Sequence, residues 1–350
     1  MNSSLSLQQQ LFADIKSQMQ KDQTFIDEIC ETLDISIDSA YRRVRGSKVL
    51  SLEEAIKLCA RFDLSIDELM DGSKRRMSFS FQPISEGEFD FNQYLRYINQ
   101  MMRLIREGEN RKMMYLANDI PLYHLLSSPV IASFKLFFWR KTILEFSEFE
   151  HEKFQLFSPR EKEVDTLSRE IRKSYMEVPS IEIYSPETID TTLKQIAYYF
   201  DSGLFASPDI AIVLCDELEK LVEHLRAQSK VGYKFKRQEN NEVPSHVPYK
   251  TEGNYTVYYN EVLFTDATVL AEVDGRHMTY LTNNGLNVLS TKDERFYAEY
   301  LASFNRLLKK STMISGSSER ERNRFFNRYQ SKIEHLRNKL ELGIGDLGFR

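Results

Sequence analysis

Residues 24–46, TFIDEICETLDISIDSAYRRVRG, constrain this chain more than any other stretch. Two short apolar-periodic segments are separated by Asp34 and followed by Gly46, so the spacing predicts helix, tight turn, helix. Phe25, Ile29, Cys30 and Leu33 fall on one side of the first segment. Ile37, Ala40 and Val44 fall on one side of the second, opposite Asp38, Ser39 and Arg42. Asp34 stands at the turn, where a left-handed residue is needed and Asp is tolerated better than most. Ser36 is placed to cap the second helix, and Gly46 to end it. Helices joined this way put a short helix into the DNA major groove.

Flanking signals extend the motif into a small domain. Leu7, Leu11, Phe12 and Ile15 predict a first helix over residues 7–19. Ser51-Leu-Glu-Glu54 and Ser65-Ile-Asp-Glu68 are two capping boxes that begin a fourth and a fifth helix. Leu52, Ala55, Ile56, Cys59 and Phe62 supply the expected inner face of the fourth.

The chemistry of the second motif helix suits a duplex. Arg42 has the reach for two hydrogen bonds to a guanine edge, a contact worth about 1–3 kcal/mol of discrimination. Ser39 can bond a base or a phosphate, and Asp38 can accept from a cytosine amino group or orient an arginine. Arg43, Arg45 and Lys48 suit phosphate oxygens, and Tyr41 sits at the boundary. The net charge of −5 opposes wholesale nucleic-acid coating. Residues 41–48 nevertheless hold four cations and no acid, and the local field matters more than the total because salt screens charges farther than about 10 Å.

The run LDISIDSAYRRVRGSKVLSLEEAIKLCARFDLSIDEL resembles the helix-turn-helix of phage-repressor-like (XRE/BetR-type) transcriptional regulators, over about residues 7–70. Their pattern is an LxIS turn, an AxxRRxRG recognition helix and an LSLEEAxxL fourth helix. The resemblance implies a five-helix lambda-repressor-like domain and a DNA-reading role for Asp38, Ser39, Arg42 and Arg43. Asp34 departs from the more usual glycine. Residues 117–139, ANDIPLYHLLSSPVIASFKLFFW, resemble long regulators that pair this domain with a large second region.

The rest of the chain reads as mainly α. The expected division is 1–72 helix-turn-helix domain, 73–88 linker, 89–229 helical domain, 230–254 linker and 255–350 α+β domain for sensing or assembly. Helices are expected over 159–176, 186–200 and 208–228, each with a proline near its start, and a short strand over 180–184. His124, among Tyr123, Leu125 and Leu126, reads as a core or pocket-edge histidine. In the last third, residues 255–264, 268–273, 277–281 and 286–289 predict a small antiparallel sheet, with Asp274-Gly275 and Asn284-Gly285 as hairpin turns. Phe326, Tyr329, Ile333, Leu336 and Leu340 are spaced 3-4-3-4, a seam for the sheet or for a second copy. Ser315 to Ser318 beside Arg320, Arg322 and Arg324 reads as a helix cap, with anion binding as the alternative.

No nucleotide-binding, hydrolase or zinc-peptidase motif occurs, and the six histidines and three cysteines are scattered. The expectation is therefore no enzyme, cofactor or metal. The longest apolar run, 130–144, is broken by Lys135, Arg140 and Lys141, so no membrane partner is expected, and the start lacks a signal peptide. A cytoplasmic homodimer on double-stranded DNA follows, answering to a small-molecule or protein effector. A protein-interaction scaffold that has lost DNA binding is the alternative.

Overall fold

The computed structural model describes residues 6–19, 24–62, 64, 66, 77–81, 91–156, 162–237, 254–261, 267–283 and 287–347. The chain divides into two compact units, Met1–Phe79 and Ser80–Arg350.

In the first unit, α1 (Leu7–Gln18), α2 (Phe25–Leu33), α3 (Ile37–Val44) and α4 (Leu52–Arg61) enclose a core of Leu11, Phe12, Ile15, Ile29, Leu33, Ala40, Leu58 and Cys59. Ser6 and Gln9 form a capping box at α1, and Ser51 and Glu54 another at α4. Such caps satisfy amides that have no partner within the helix. Asp34 is left-handed, at φ 53° and ψ 54°, and turns the chain between α2 and α3. Gly46 takes φ 77° beyond α3. The Thr24 hydroxyl bonds the Asp27 carboxylate rather than a helix amide. The expected fifth helix, with its Ser65 capping box, lies outside the described residues.

The second unit corrects the sequence reading. Its described strands form one seven-stranded mixed sheet instead of a small antiparallel sheet confined to the last third. β1 (Arg111–Ala117) and β2 (Ser180–Tyr184) come from the region read as a helical domain. They pair in parallel, Met113 opposite Ser180. β2 also pairs in parallel with β3 (Tyr255–Tyr259), and β1 pairs antiparallel with β4 (Thr268–Val273). β5 (Arg276–Asn283) and β6 (Asn287–Thr291) continue the antiparallel side, and β7 (Thr312–Met313) closes the other edge. Separate domains over 89–229 and 255–350 are thus replaced by one sheet shared between them. The expected linkers 73–88 and 230–254 fall largely outside the described residues. Ser80 is inside: it exchanges two backbone hydrogen bonds with Ser290, 2.8 and 2.9 Å.

Both sheet faces are covered. Met114, Leu116, Ile183 and Leu270 pack against Tyr297 and Phe304 of α11 (Glu294–Leu308). On the opposite face, α5 (Phe91–Glu107) and α8 (Lys162–Glu177) cover the antiparallel half, whose Met113, Ala271 and Val273 join their core. The parallel half is covered by α7 (Pro129–Phe138), α9 (Asp190–Asp201), α10 (Asp209–Val231) and α12 (Glu319–Leu347). A short α6 (Leu122–Leu125) follows β1. Phe326, Tyr329, Ile333, Leu336 and Leu340 of α12 are all buried in this second core, so the heptad-like seam is used within the chain. Among the described residues, no helix is long and apolar enough to cross a membrane.

Candidate nucleic-acid interface

Three contacts set the position of α3. Ser36 caps it, its hydroxyl accepting from the Ser39 amide at 3.4 Å. Ala40 is fully buried against the bundle. From α1, Gln8 donates to the Arg43 and Lys48 carbonyls, at 2.6 and 2.9 Å, and accepts from the Leu50 amide at 3.0 Å. Gln8 thus pins the α3–α4 connection from a distant helix, a role that its place in the pattern of residues 7–19 does not announce.

Arg43 is a correction. It is 4% exposed, pointing into the bundle instead of toward a duplex. Its Nε donates to Glu54 Oε2 at 2.9 Å, its Nη2 to Glu54 Oε1, and its Nη1 to the Ser39 carbonyl at 3.2 Å. The hydrogen bonds to Glu54 raise the Arg43 pKa, and those from Arg43 lower that of Glu54. Both shifts favour the charged pair, and both roles proposed for Arg43, reading bases and holding phosphate, give way to bracing α3 on α4. Glu54 also accepts from the Ser51 amide at 3.1 Å, so one carboxylate serves the cap and the brace.

The remaining candidates stay outside. Asp38, Tyr41, Arg42, Arg45 and Lys48 are exposed, and Ser39 is half-buried. The Arg45 guanidinium lies 5.4 Å from the Tyr41 ring centroid, a cation–π contact that orients its fork. The Lys48 amide and the Ser47 hydroxyl close the end of α3 by donating to the Arg42 carbonyl, at 3.0 and 2.9 Å. Four apolar residues expected on inner faces are out, among them Leu7 of α1 at 55% exposure and Ile56 of α4 at 50%. Ile37 is 58% exposed on the same side as Tyr41, and Leu52 of α4 is 66% exposed. The inner face of α4 is carried by Ala55, Leu58, Cys59 and Phe62. The outer face of α3 and the turn that follows it therefore offer three cations, one carboxylate and an apolar contact at Ile37, the donor, acceptor and methyl-packing groups that base edges and phosphates engage.

A second polar centre, in the second unit, escapes sequence reading because its members come from separate segments. Glu182 of β2 is wholly buried. It meets His124 Nε2 at 3.1 Å and the Tyr184 hydroxyl at 2.5 Å, and bonds the Tyr175 hydroxyl. Burial acts to raise its pKa, yet the net shift is downward because His124, Lys234 and Tyr184 stabilise the carboxylate. The pocket alongside, about 10 Å³, has room for a water and no more. A fully satisfied, closed network of this kind organises a core. Arg322 is likewise spent internally, donating to the Ile314 and Gly316 carbonyls at 3.2 and 2.7 Å, which favours the helix-cap reading of residues 315–318.

Comparison with protein-family models, with curated proteins and with solved structures finds no match to this chain.

Proposed function

We propose that the protein is a sequence-specific DNA-binding regulator in which α3 enters the major groove and the second unit senses an effector or assembles the molecule. The observation that carries this reading is the partition of α3. One arginine is locked inward on Glu54, while Arg42 on the helix, with Arg45 and Lys48 just beyond its end, remains outside. A rigid helix with an uncommitted basic face is the geometry that phosphate anchoring and base readout require. Arg42 is the base reader, Arg45 and Lys48 are phosphate anchors, and Ile37 packs on a thymine methyl. One short helix offers limited affinity, so two copies on a palindrome are proposed.

Selection of bound fragments from random duplex DNA by the full chain, followed by titration at several salt concentrations, tests this. A palindromic consensus is expected. Arg42→Ala should relax specificity at one base pair, costing about 1–3 kcal/mol there. Arg45→Ala should weaken all sequences about equally and lower the salt slope by about one. Absence of salt-sensitive affinity for any duplex would refute the proposal and leave the protein-interaction scaffold.

A further inference from the structure

The second unit holds a pocket of about 640 Å³, within the range of small-molecule sites. It lies beyond the carboxyl end of β1, at Asn118 and Asp119, where the sheet changes from its parallel to its antiparallel half. Chain reversals at such places leave crevices in open sheets. Its walls are aromatic, from Tyr94, Tyr115, Tyr123, Trp139 and Tyr280, with aliphatic side chains such as Ile98 and Val288 between them. A π-helical turn, Trp139–Ile143, presents both of its end residues to the space. Such turns are uncommon and gather at functional sites.

The charge arrangement selects the ligand. Asp119 is the one ionisable group of acidic or basic type among the described lining residues, and its carboxylate is already used. It accepts from Lys135 Nζ at 2.7 Å, Thr192 Oγ1 at 3.1 Å and the Ile120 amide at 2.8 Å. Lys135 is 1% exposed and Asp119 30%, so the pair carries no net charge and its carboxylate reaches the pocket wall already bonded. Among the described lining residues a charged ligand would find no uncommitted counter-charge to offset its lost hydration, a large cost. In contrast, the Tyr115 and Tyr123 hydroxyls make no hydrogen bond among the described residues, and burial raises both phenol pKa values, keeping them as neutral donors.

We infer that this pocket binds an uncharged, predominantly apolar small molecule that presents a hydrogen-bond acceptor to the Tyr115 and Tyr123 hydroxyls. The site stands on the second unit alone and does not depend on DNA binding.

Trp139 is the sole tryptophan of the chain and lines the pocket, so it reports occupancy. The full chain is titrated with three dyes: N-phenyl-1-naphthylamine, which is neutral, its sulfonated relative 1-anilinonaphthalene-8-sulfonate, and cationic crystal violet. The neutral dye should saturate and quench Trp139 emission almost completely, because it sits against the indole. Each charged dye should bind at least about tenfold more weakly. Val288→Phe, which fills space from a partly exposed position, should weaken the neutral dye at least about fivefold. Should that variant misfold, the native chain still decides through the extent of quenching and the order of the three dyes. Absent or only partial quenching at saturation, a charged dye equal to or tighter than the neutral one, or a folded Val288→Phe with native affinity would each overturn the inference.

Discussion

Arg43 and Arg42 are neighbours of the same type with opposite fates, and the difference is one of angle around α3. Removing the Arg43 guanidinium strands the partly buried Glu54 carboxylate and frees α3 from α4. Arg43→Ala should therefore destabilise the first unit by about 2–3 kcal/mol. Hydrogen exchange of α3 and α4 amides in the full chain reads that loss, and Arg42→Ala should stay within about 0.5 kcal/mol of native. In the second unit, the His224 imidazole is pushed down to about 3, by burial first and then by the electrostatic influence of His124 and Arg237. An unfolded histidine titrates near ~6.5. The folded chain thus binds fewer protons between these values, so this stability is complete above about pH 6.5 and is lost as pH falls toward 3. The slope is at most about 1.4 kcal/mol per pH unit. His224→Gln should flatten that part of the pH profile of unfolding followed by Trp139 emission. An unchanged slope would remove His224 as its source.

At the scale of elements, the turn between α2 and α3 rests on Asp34 in a left-handed conformation. Asp and Ala meet the same Cβ clash there, but the short polar side chain of Asp offsets it by local hydrogen bonding, so Asp34→Ala should cost about 1 kcal/mol, while Asp34→Gly should lie within about 0.5 kcal/mol of native. Equal thermal shifts from the two would deny the backbone origin of the preference. The Ser51 box was legible because a cap is a local signal: Ser, Glu and three residues of spacing suffice. β4 falls on the expected 268–273 for a similar reason, its β-branched and alternating residues being bounded by a hairpin turn. β1, RKMMYLA, carries Met, Leu and Ala, which favour helices at least as much, and only its two paired neighbours make it a strand.

For the whole molecule, the shared sheet makes a definite claim about independence. A fragment of residues 80–229 contains β1 and β2 but lacks β4 and β3, so each strand loses a partner on one side. It also lacks α12, which buries Phe326, Tyr329 and Ile333 against α10. This fragment should lack a cooperative thermal transition and be cut rapidly by protease, whereas residues 80–350 should melt as one unit. A protected, cooperatively melting 80–229 fragment would restore the separate helical domain. Packing of the α12 seam inside the chain also means that a dimer on DNA needs some other surface.

What residues and spacing determined by themselves were the local features: the caps at Ser36 and Ser51, the turn at Asp34, most helix spans and the outward placement of Arg42, Arg45 and Lys48. Each depends on neighbours within a few positions, where backbone geometry alone relates one side chain to the next. Tertiary structure alone decided that Arg43 turns inward to Glu54, that Ile37 and Leu52 stay outside, and that β1 and β2 join strands more than sixty residues away. It also gathered His124, Tyr175, Glu182 and Tyr255 into one buried network. Those outcomes depend on which surfaces meet, and burial, pairing and desolvation act between residues that the linear order keeps apart.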